Sequence, residues 1–310
     1  MPKPETTPAG AERWSSRSVG AAWQHRFFYA LIRCGGRGIA YLVLRFVVAY
    51  YMVLRPDQRR KSEYYLRRRF PDASGFALWR HSYRMSYALG RSLIDRAVVG
   101  ILGTGSTDVT LHGRDELLAL LNEGKGLILL TAHVGCWQAA MSALGYLKKP
   151  VHLLMQQDEG DLDRHYFEHR GEESPFRIID PRGDFGGALE MVGALKRGEV
   201  LSVMADRMLG SDRNGVAVDF LGAPIQVPVS PYKIAAATGA PIALLLTAKT
   251  GGTSYRLDLA GTIRVPAGLG RKAGEFAPYA RQMAVMLEDY VERYPYQFFN
   301  FHDMWSEGES

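Results

Sequence analysis

Hydrophobic positions along this chain come in two rhythms. Short, nearly continuous apolar blocks at Val109–Leu111, Leu127–Leu130, Val151–Met155, Phe176–Ile179, Val200–Ala205, Val216–Phe220, Ile242–Thr247 and Tyr255–Leu259 have the length and β-branched content of strands. The Leu127–Leu130 block (L-I-L-L) is unbroken, as expected of a strand buried on both faces. Between the blocks, Arg114–Asn122, the start of a helix at Ala139–Leu144, Gly187–Lys196, Pro231–Thr238 and Pro278–Arg293 show helical spacing, and Gly239 is placed to end one of them. Strands separated by helices predict an α/β fold with a mixed, largely parallel sheet flanked by helices, Ile242–Thr247 and Tyr255–Leu259 pairing with each other.

The first third reads differently. Residues 1–25 form a tail whose first twenty residues are rich in Pro, Ser, Thr and Gly, a composition that predicts disorder. Residues 26–100 form a basic, apolar helical segment. Phe27–Leu54 is strongly apolar and aromatic, interrupted by Arg33, Arg37 and Arg45, and its cleanest part, Ile39–Leu54, is 16 residues long. A spanning helix needs about 20 residues, and an Arg at mid-membrane costs about 2.5–3.5 kcal/mol on insertion scales. The favoured expectation is a membrane-associated helix in the interface with its Arg side chains reaching the headgroups. A single span from near Phe27, or a buried helix of a soluble domain, are the alternatives. An Arg-dense helix over Arg55–Phe70 and a helical pattern over Phe76–Val99 follow, then a linker at Gly100–Ser106 into the α/β domain of residues 101–310.

Charge sharpens this division. The net charge is +6, but residues 1–70 hold 14 Lys/Arg against 4 Asp/Glu, and the remainder holds 24 against 28. A nucleic-acid groove would spread positive charge over the folded body; a basic block beside an apolar helix instead fits an anionic membrane surface, with no nucleic acid as partner. The same block could steer an acidic protein. Cys34 and Cys136 are too few for a disulfide framework and fit a reducing compartment, Cys136 as a small buried hydrophobe.

Three groups carry candidate chemistry. His133 follows the buried Leu127–Leu130 strand, at the sheet edge where ligands gather in α/β folds, and imidazole suits proton transfer near neutrality; a helix-capping role is the plain alternative. Asp206 and Arg207 leave the Val200–Ala205 strand at the same edge. The D-P-R-G-D stretch at Asp180–Asp184 offers Arg182, whose planar fork suits phosphate or carboxylate, or which pairs with a neighbouring Asp. No Cys/His set has zinc spacing, and no metal is expected; G-x-S-x-G and dinucleotide signatures are missing too. His152, His165 and His169 are read as surface residues.

Several blocks, in order, resemble one family: R-R-R-F-P at Arg67–Pro71, L-L-T-A-H-V-G-C-W-Q ending at Gln138, I-I-D-P-R-G, M-A-D-R, V-D-F-L-G-A-P-I-Q-V-P containing Gly222, T-G-A-P, and the aromatic tail Y-P-Y-Q-F-F-N-F-H-D-M-W. They are similar to the lysophospholipid acyltransferase superfamily, in particular the bacterial branch that adds late acyl chains to lipid A. The resemblance implies an acyltransferase on the cytoplasmic face of a bacterial inner membrane. It would move a fatty acyl chain from acyl-carrier protein, or coenzyme A, to a membrane lipid or glycolipid, without a cofactor. It also implies His133 as general base with Gln138 orienting it, and Gly135, Arg182, Asp206, Arg207 and Gly222 as substrate-binding positions. Backbone N–H groups near Gly135 would receive the oxyanion, and the aromatic tail and N-terminal helices would form a channel for the acyl chain. The family places Asp or Glu where this chain has Gln138. Either an oriented His suffices, or another carboxylate such as Asp206 substitutes, or the protein is a lipid-binding scaffold that has lost catalysis. A thioester hydrolase using water as acceptor is a further reading. The tail, where Asp303 replaces a basic residue after His302, leaves the acceptor open.

Overall fold

The computed structural model describes residues 22–137, 142–156, 176–208, 214–270 and 272–305. The expected tail up to residue 21, Gln138, the helix start at Ala139, and His165 and His169 lie outside them. Three helices open the chain: α1 (Ala22–Leu54), α2 (Pro56–Arg69) and α3 (Gly75–Leu102). The α/β part follows as β1 (Asp108–His112), α4 (Arg114–Leu121), β2 (Leu127–Thr131), β3 (Val151–Leu154), β4 (Phe176–Ile179), α5 (Ala188–Lys196) and β5 (Val200–Met204). It is completed by β6 (Gly215–Phe220), β7 (Ala223–Pro228), α6 (Ser230–Thr238), β8 (Ile242–Lys249), β9 (Ser254–Ile263) and α7 (Ala277–Arg293).

Seven strands form one mixed sheet in the order β1-β9-β8-β2-β5-β3-β4. The neighbours β8, β2, β5, β3 and β4 are parallel, and among the described residues the one antiparallel pair in this sheet joins β8 to β9. The unbroken apolar block of β2 has the expected cause. Ile128 and Leu130 face a core built with α2, α3 and α5 to α7, while Leu127 and Leu129 face a second core with α4 and Leu144. β7 was not anticipated: two prolines in A-P-I-Q-V-P obscure it, yet it pairs with β6 in a separate two-stranded hairpin. Its turn, Leu221–Gly222, has φ of 50° and 79°, the left-handed pair that a tight hairpin requires. The expected linker is shorter than Gly100–Ser106, since α3 runs on to Leu102 and stops where Gly103 takes a φ of 88°.

α1 bends at Gly36 and presents two apolar faces. Ala40, Leu44, Val48 and Met52, four residues apart, pack against Ile94 and Val98 of α3. On the other side Ile39, Leu42, Phe46, Tyr50 and Val53 are exposed, Phe46 by 71%. Arg33 and Arg45 are exposed, but Arg37 turns inward to Asp95 instead of reaching outward as expected. Over Arg26–Leu54 this helix is long and apolar enough to cross a membrane. His152, expected at the surface, is buried and pairs through Nε2 with Glu199 at 2.8 Å, where β3 and β5 begin.

The two apolar environments make opposite expectations for truncation. Leu130→Ala, in the centre of the sheet, should cost about 2–5 kcal/mol through cavity formation. Phe46→Ser should stay within about 0.5 kcal/mol in detergent-free denaturation, because the residue is 71% exposed and little burial is lost. Chemical-denaturation midpoints of the two variants check this contrast.

Candidate functional site

β2 and β5 run in parallel register with Thr131 opposite Met204, and the Ala205 N–H donates to the Thr131 carbonyl at 3.0 Å. Both strands therefore leave the sheet at one level, and His133 and Asp206 each follow two residues later. His133 Nδ1 lies 2.8 Å from Asp206 Oδ1 and 3.1 Å from Oδ2, and the His133 backbone N–H donates to Oδ2 at 3.2 Å. Asp206 is 1% exposed, whereas the His133 side chain is 26% exposed. Burial alone would raise the Asp206 pKa. The charge and hydrogen bonds of His133, with the charge of Arg207, outweigh it and hold the carboxyl well below the usual range. An ionised carboxylate only accepts, so His133 Nδ1 carries the proton in this contact. The buried partner holds the ring, and part of the side chain reaches the surface.

Arg207 is buried beside this pair. Its Nη2 is 3.9 Å from Asp206 Oδ2 and donates to the Phe299 carbonyl at 3.3 Å. Burial pushes its pKa down, and the charge of Asp206 opposes that shift.

The C-terminal segment locks the His133 loop. Val134 forms an antiparallel bridge with Phe298, the Phe299 N–H donates to the His133 carbonyl at 2.7 Å, and the Gly135 N–H donates to the Gln297 carbonyl at 3.0 Å. Gly135 has φ +54°, and a Cβ there would lie 2.2 Å from the Thr247 carbonyl oxygen, so the close approach demands glycine. Its amide, expected to receive an oxyanion, is thus turned to Gln297. Among the described residues, the tail aromatics expected to line an acyl channel pack against one another and the core. Phe298 packs edge-on against Tyr65 and Phe220, and Trp305 stacks on Phe220 while donating through Nε1 to the Phe220 carbonyl. Under the loop, Leu129, Ala132, Val134, Trp137 and Leu257 border an apolar cavity of about 20 Å³ among the described residues.

Of the other expected positions, Arg182 is held in a forked ion pair with Asp180 on an exposed turn. It follows β4 at the sheet edge, three strands from β2, or roughly 14 Å at ordinary strand spacing. The structure therefore brings together two of the three expected groups. Gly222 sits in the β6–β7 turn, as described above. Among the described residues no group of three His, Cys, Asp or Glu could hold a metal ion. Sequence reasoning passed over His302. Its Nδ1 is buried without a hydrogen-bond partner, and burial, then the nearby Arg207 charge, push its pKa down to about 4. The only signal was its place in the aromatic tail.

Residues 89–307 match the family of bacterial lipid A biosynthesis acyltransferases, and the chain belongs to that family. Among individual proteins it is similar to the phosphatidylinositol mannoside acyltransferase of Mycobacterium tuberculosis, 29% identical over 148 residues, 44% of this chain and 42% of that protein. It is also similar to the protein of that name in Mycolicibacterium smegmatis, 30% identical over 130 residues, 41% of this chain and 42% of that one. The chain thus spans less than half the length of the curated relatives it matches.

The two buried ionisable groups give separate acid windows. His302 has a folded pKa near 4, below its unfolded value of about 6.5, so the unfolded chain binds more protons between these values. Stability from its neutral form is complete above about pH 6.5 and is lost as pH falls toward 4. His302→Gln should flatten the pH dependence of Tm in that window. Asp206, with a depressed folded pKa, contributes stability above about pH 4 that is lost only at lower pH, so Asp206→Asn should flatten the curve there instead. Thermal melts from pH 3 to 8 distinguish the two.

Proposed function

We propose that this protein is a membrane-associated acyltransferase that moves a fatty acyl chain from a thioester donor to a hydroxyl or amine of a lipid or glycolipid. The observation that carries this reading is the His133–Asp206 pair at the carboxyl end of the sheet, its carboxylate buried and its imidazole 26% exposed. Nε2 takes the proton of the acceptor group as its oxygen or nitrogen attacks the thioester carbonyl. A carbon–oxygen or carbon–nitrogen bond forms, the carbon–sulfur bond breaks, and the imidazolium returns the proton to the departing thiolate. Asp206, ionised and buried, holds the imidazole and offsets its transient charge without taking the proton itself. The step balances with the two substrates alone, and Arg207 supplies fixed positive charge beside it.

Family membership supports a lipid-directed acyl transfer. The names of the mycobacterial relatives point to a glycolipid acceptor. Acyl-carrier protein or coenzyme A is the proposed donor, and the basic α2, with Arg67, Arg68 and Arg69 in its last turn, suits either acidic partner. The exposed apolar face of α1, flanked by Arg33 and Arg45, favours a helix resting in the cytoplasmic leaflet of the inner membrane. The Asp206 contact also gives Gln138 a reading: the orienting carboxylate of His133 comes from β5, so a charge at position 138 is not required.

Single-turnover transfer in detergent, from acyl-carrier protein and from coenzyme A, with and without glycolipid, tests the proposal. His133→Ala should abolish transfer, and Asp206→Asn should lower it by about 10²–10⁴-fold, the usual weight of positioned acid–base catalysis. Gln138→Glu should change it less than about tenfold. Wild-type rates in Asp206→Asn would overturn the role given to that residue. Thioester loss that is equally fast without lipid would make the protein a hydrolase.

A further inference from the structure

Gly135 is held on both of its polar backbone groups, and both holds lead back to α3. Ser92 Oγ donates to the Gly135 carbonyl at 2.7 Å. One turn further along the same helix, Asp95 is fully buried. It accepts from Lys249 Nζ at 2.6 Å and from the hydroxyls of Tyr41 and Tyr255, and the guanidinium of Arg37 forms an ion pair with it, Nε 3.0 Å away. The backbone of Lys249 clamps a single side chain: its N–H donates to Gln297 Oε1 at 2.7 Å, and its carbonyl accepts from Gln297 Nε2 at 3.0 Å. The Gln297 carbonyl then accepts the Gly135 N–H. A closed circuit therefore runs from α3 through β8 and the C-terminal segment to the residue two after His133, and back to α3.

The circuit has a plug from outside. Arg37 and Tyr41 belong to α1, and Arg37 also donates through Nη2 to the Ser106 carbonyl at 2.8 Å. A buried ion pair of this kind is a poor device for stability, because desolvation consumes most of the attraction. Its directional bonds, however, leave the groups that carry it little freedom. Here those groups are the β8 backbone and the segment that bridges the His133 loop.

We propose that Ser92 and Asp95 are positioning residues for the reaction: with Arg37 and Tyr41 seated on Asp95, they set the height and tilt of the His133 loop over β8. The N-terminal helix is then part of the active-site scaffold as well as a membrane contact. This rests on the acyl-transfer reading. Neither residue touches the reacting atoms; each acts through Gly135.

Asp95→Asn would leave Lys249 and Arg37 buried with less charge and risks misfolding, so the test uses milder changes. In full-length protein, Ser92→Ala removes the hold on the Gly135 carbonyl, Ser92→Thr keeps a hydroxyl, and Arg37→Met withdraws the α1 plug. Single-turnover rate, KM for donor and acceptor, and Tm are measured beside wild type and His133→Ala. The expected result is a rate lower by about 10- to 100-fold in Ser92→Ala and Arg37→Met, as for a reacting group displaced by a distant change. KM should be little altered, and Ser92→Thr should recover. A wild-type rate in either Ser92→Ala or Arg37→Met, with only Tm lowered, would overturn the proposal and leave a structural role. If wild type itself shows no turnover above His133→Ala, the acyl-transfer reading fails instead.

Discussion

The contact between His133 Nδ1 and the Asp206 carboxylate is the constraint to which the surrounding structure answers. A buried carboxylate is costly unless charge and hydrogen bonds compensate it, and here the imidazole, the His133 backbone N–H and Arg207 do so. That compensation is available because two parallel strands end in register, Thr131 beside Met204. It persists because the chain after His133 is pinned. Gly135 nestles against the Thr247 carbonyl where no side chain fits, and the segment from Gln297 to Phe299 bonds across the loop. The central sheet, the close packing at Gly135 and the C-terminal closure serve one geometry.

Much of the fold was legible in the sequence because its strands are short apolar blocks with distinct ends. β2, β4 and β5 were readable in this way, as was the helix closed by Gly239. The placement of His133 and Asp206 at one sheet edge followed from the parallel α/β pattern. Strand order was not legible, since periodicity carries no information about neighbours. That is why Arg182 seemed to converge on His133, while β4 in fact lies at the far edge and Arg182 pairs with Asp180. The polar locks were also hidden. Asp95 reads as one acidic residue on an amphipathic helix, and its four partners, three hydrogen-bond donors and the Arg37 guanidinium, come from 54 to 160 residues away. The packing of the tail on Tyr65 and Phe220 was hidden too, because aromatic residues carry no mark that tells a channel lining from a packed core.

The N-terminal third gains a second meaning from the structure. Its charge excess, its apolar helix and its Arg-rich α2 all suit an anionic interface. Yet α1 meets α3 through one apolar stripe and through Arg37 and Tyr41, so its exposed apolar face and the face that contacts Asp95 are different sides of one helix. α2 is tied inward as well: Tyr65 donates to the Pro295 carbonyl, and Arg68 lies 4.7 Å above the Trp305 ring. The exposed apolar face of α1 and the polar network beneath the His133 loop share a scaffold.

The central claim is that Asp206, rather than a residue at position 138, orients His133. Proton NMR of protein labelled with nitrogen-15 at histidine tests it most directly. The His133 Nδ1 proton should appear as a far-downfield, exchange-protected resonance that disappears in Asp206→Asn and persists in Gln138→Glu and Gln138→Ala. A resonance that survives Asp206→Asn, or that is lost when Gln138 is changed, would contradict the account.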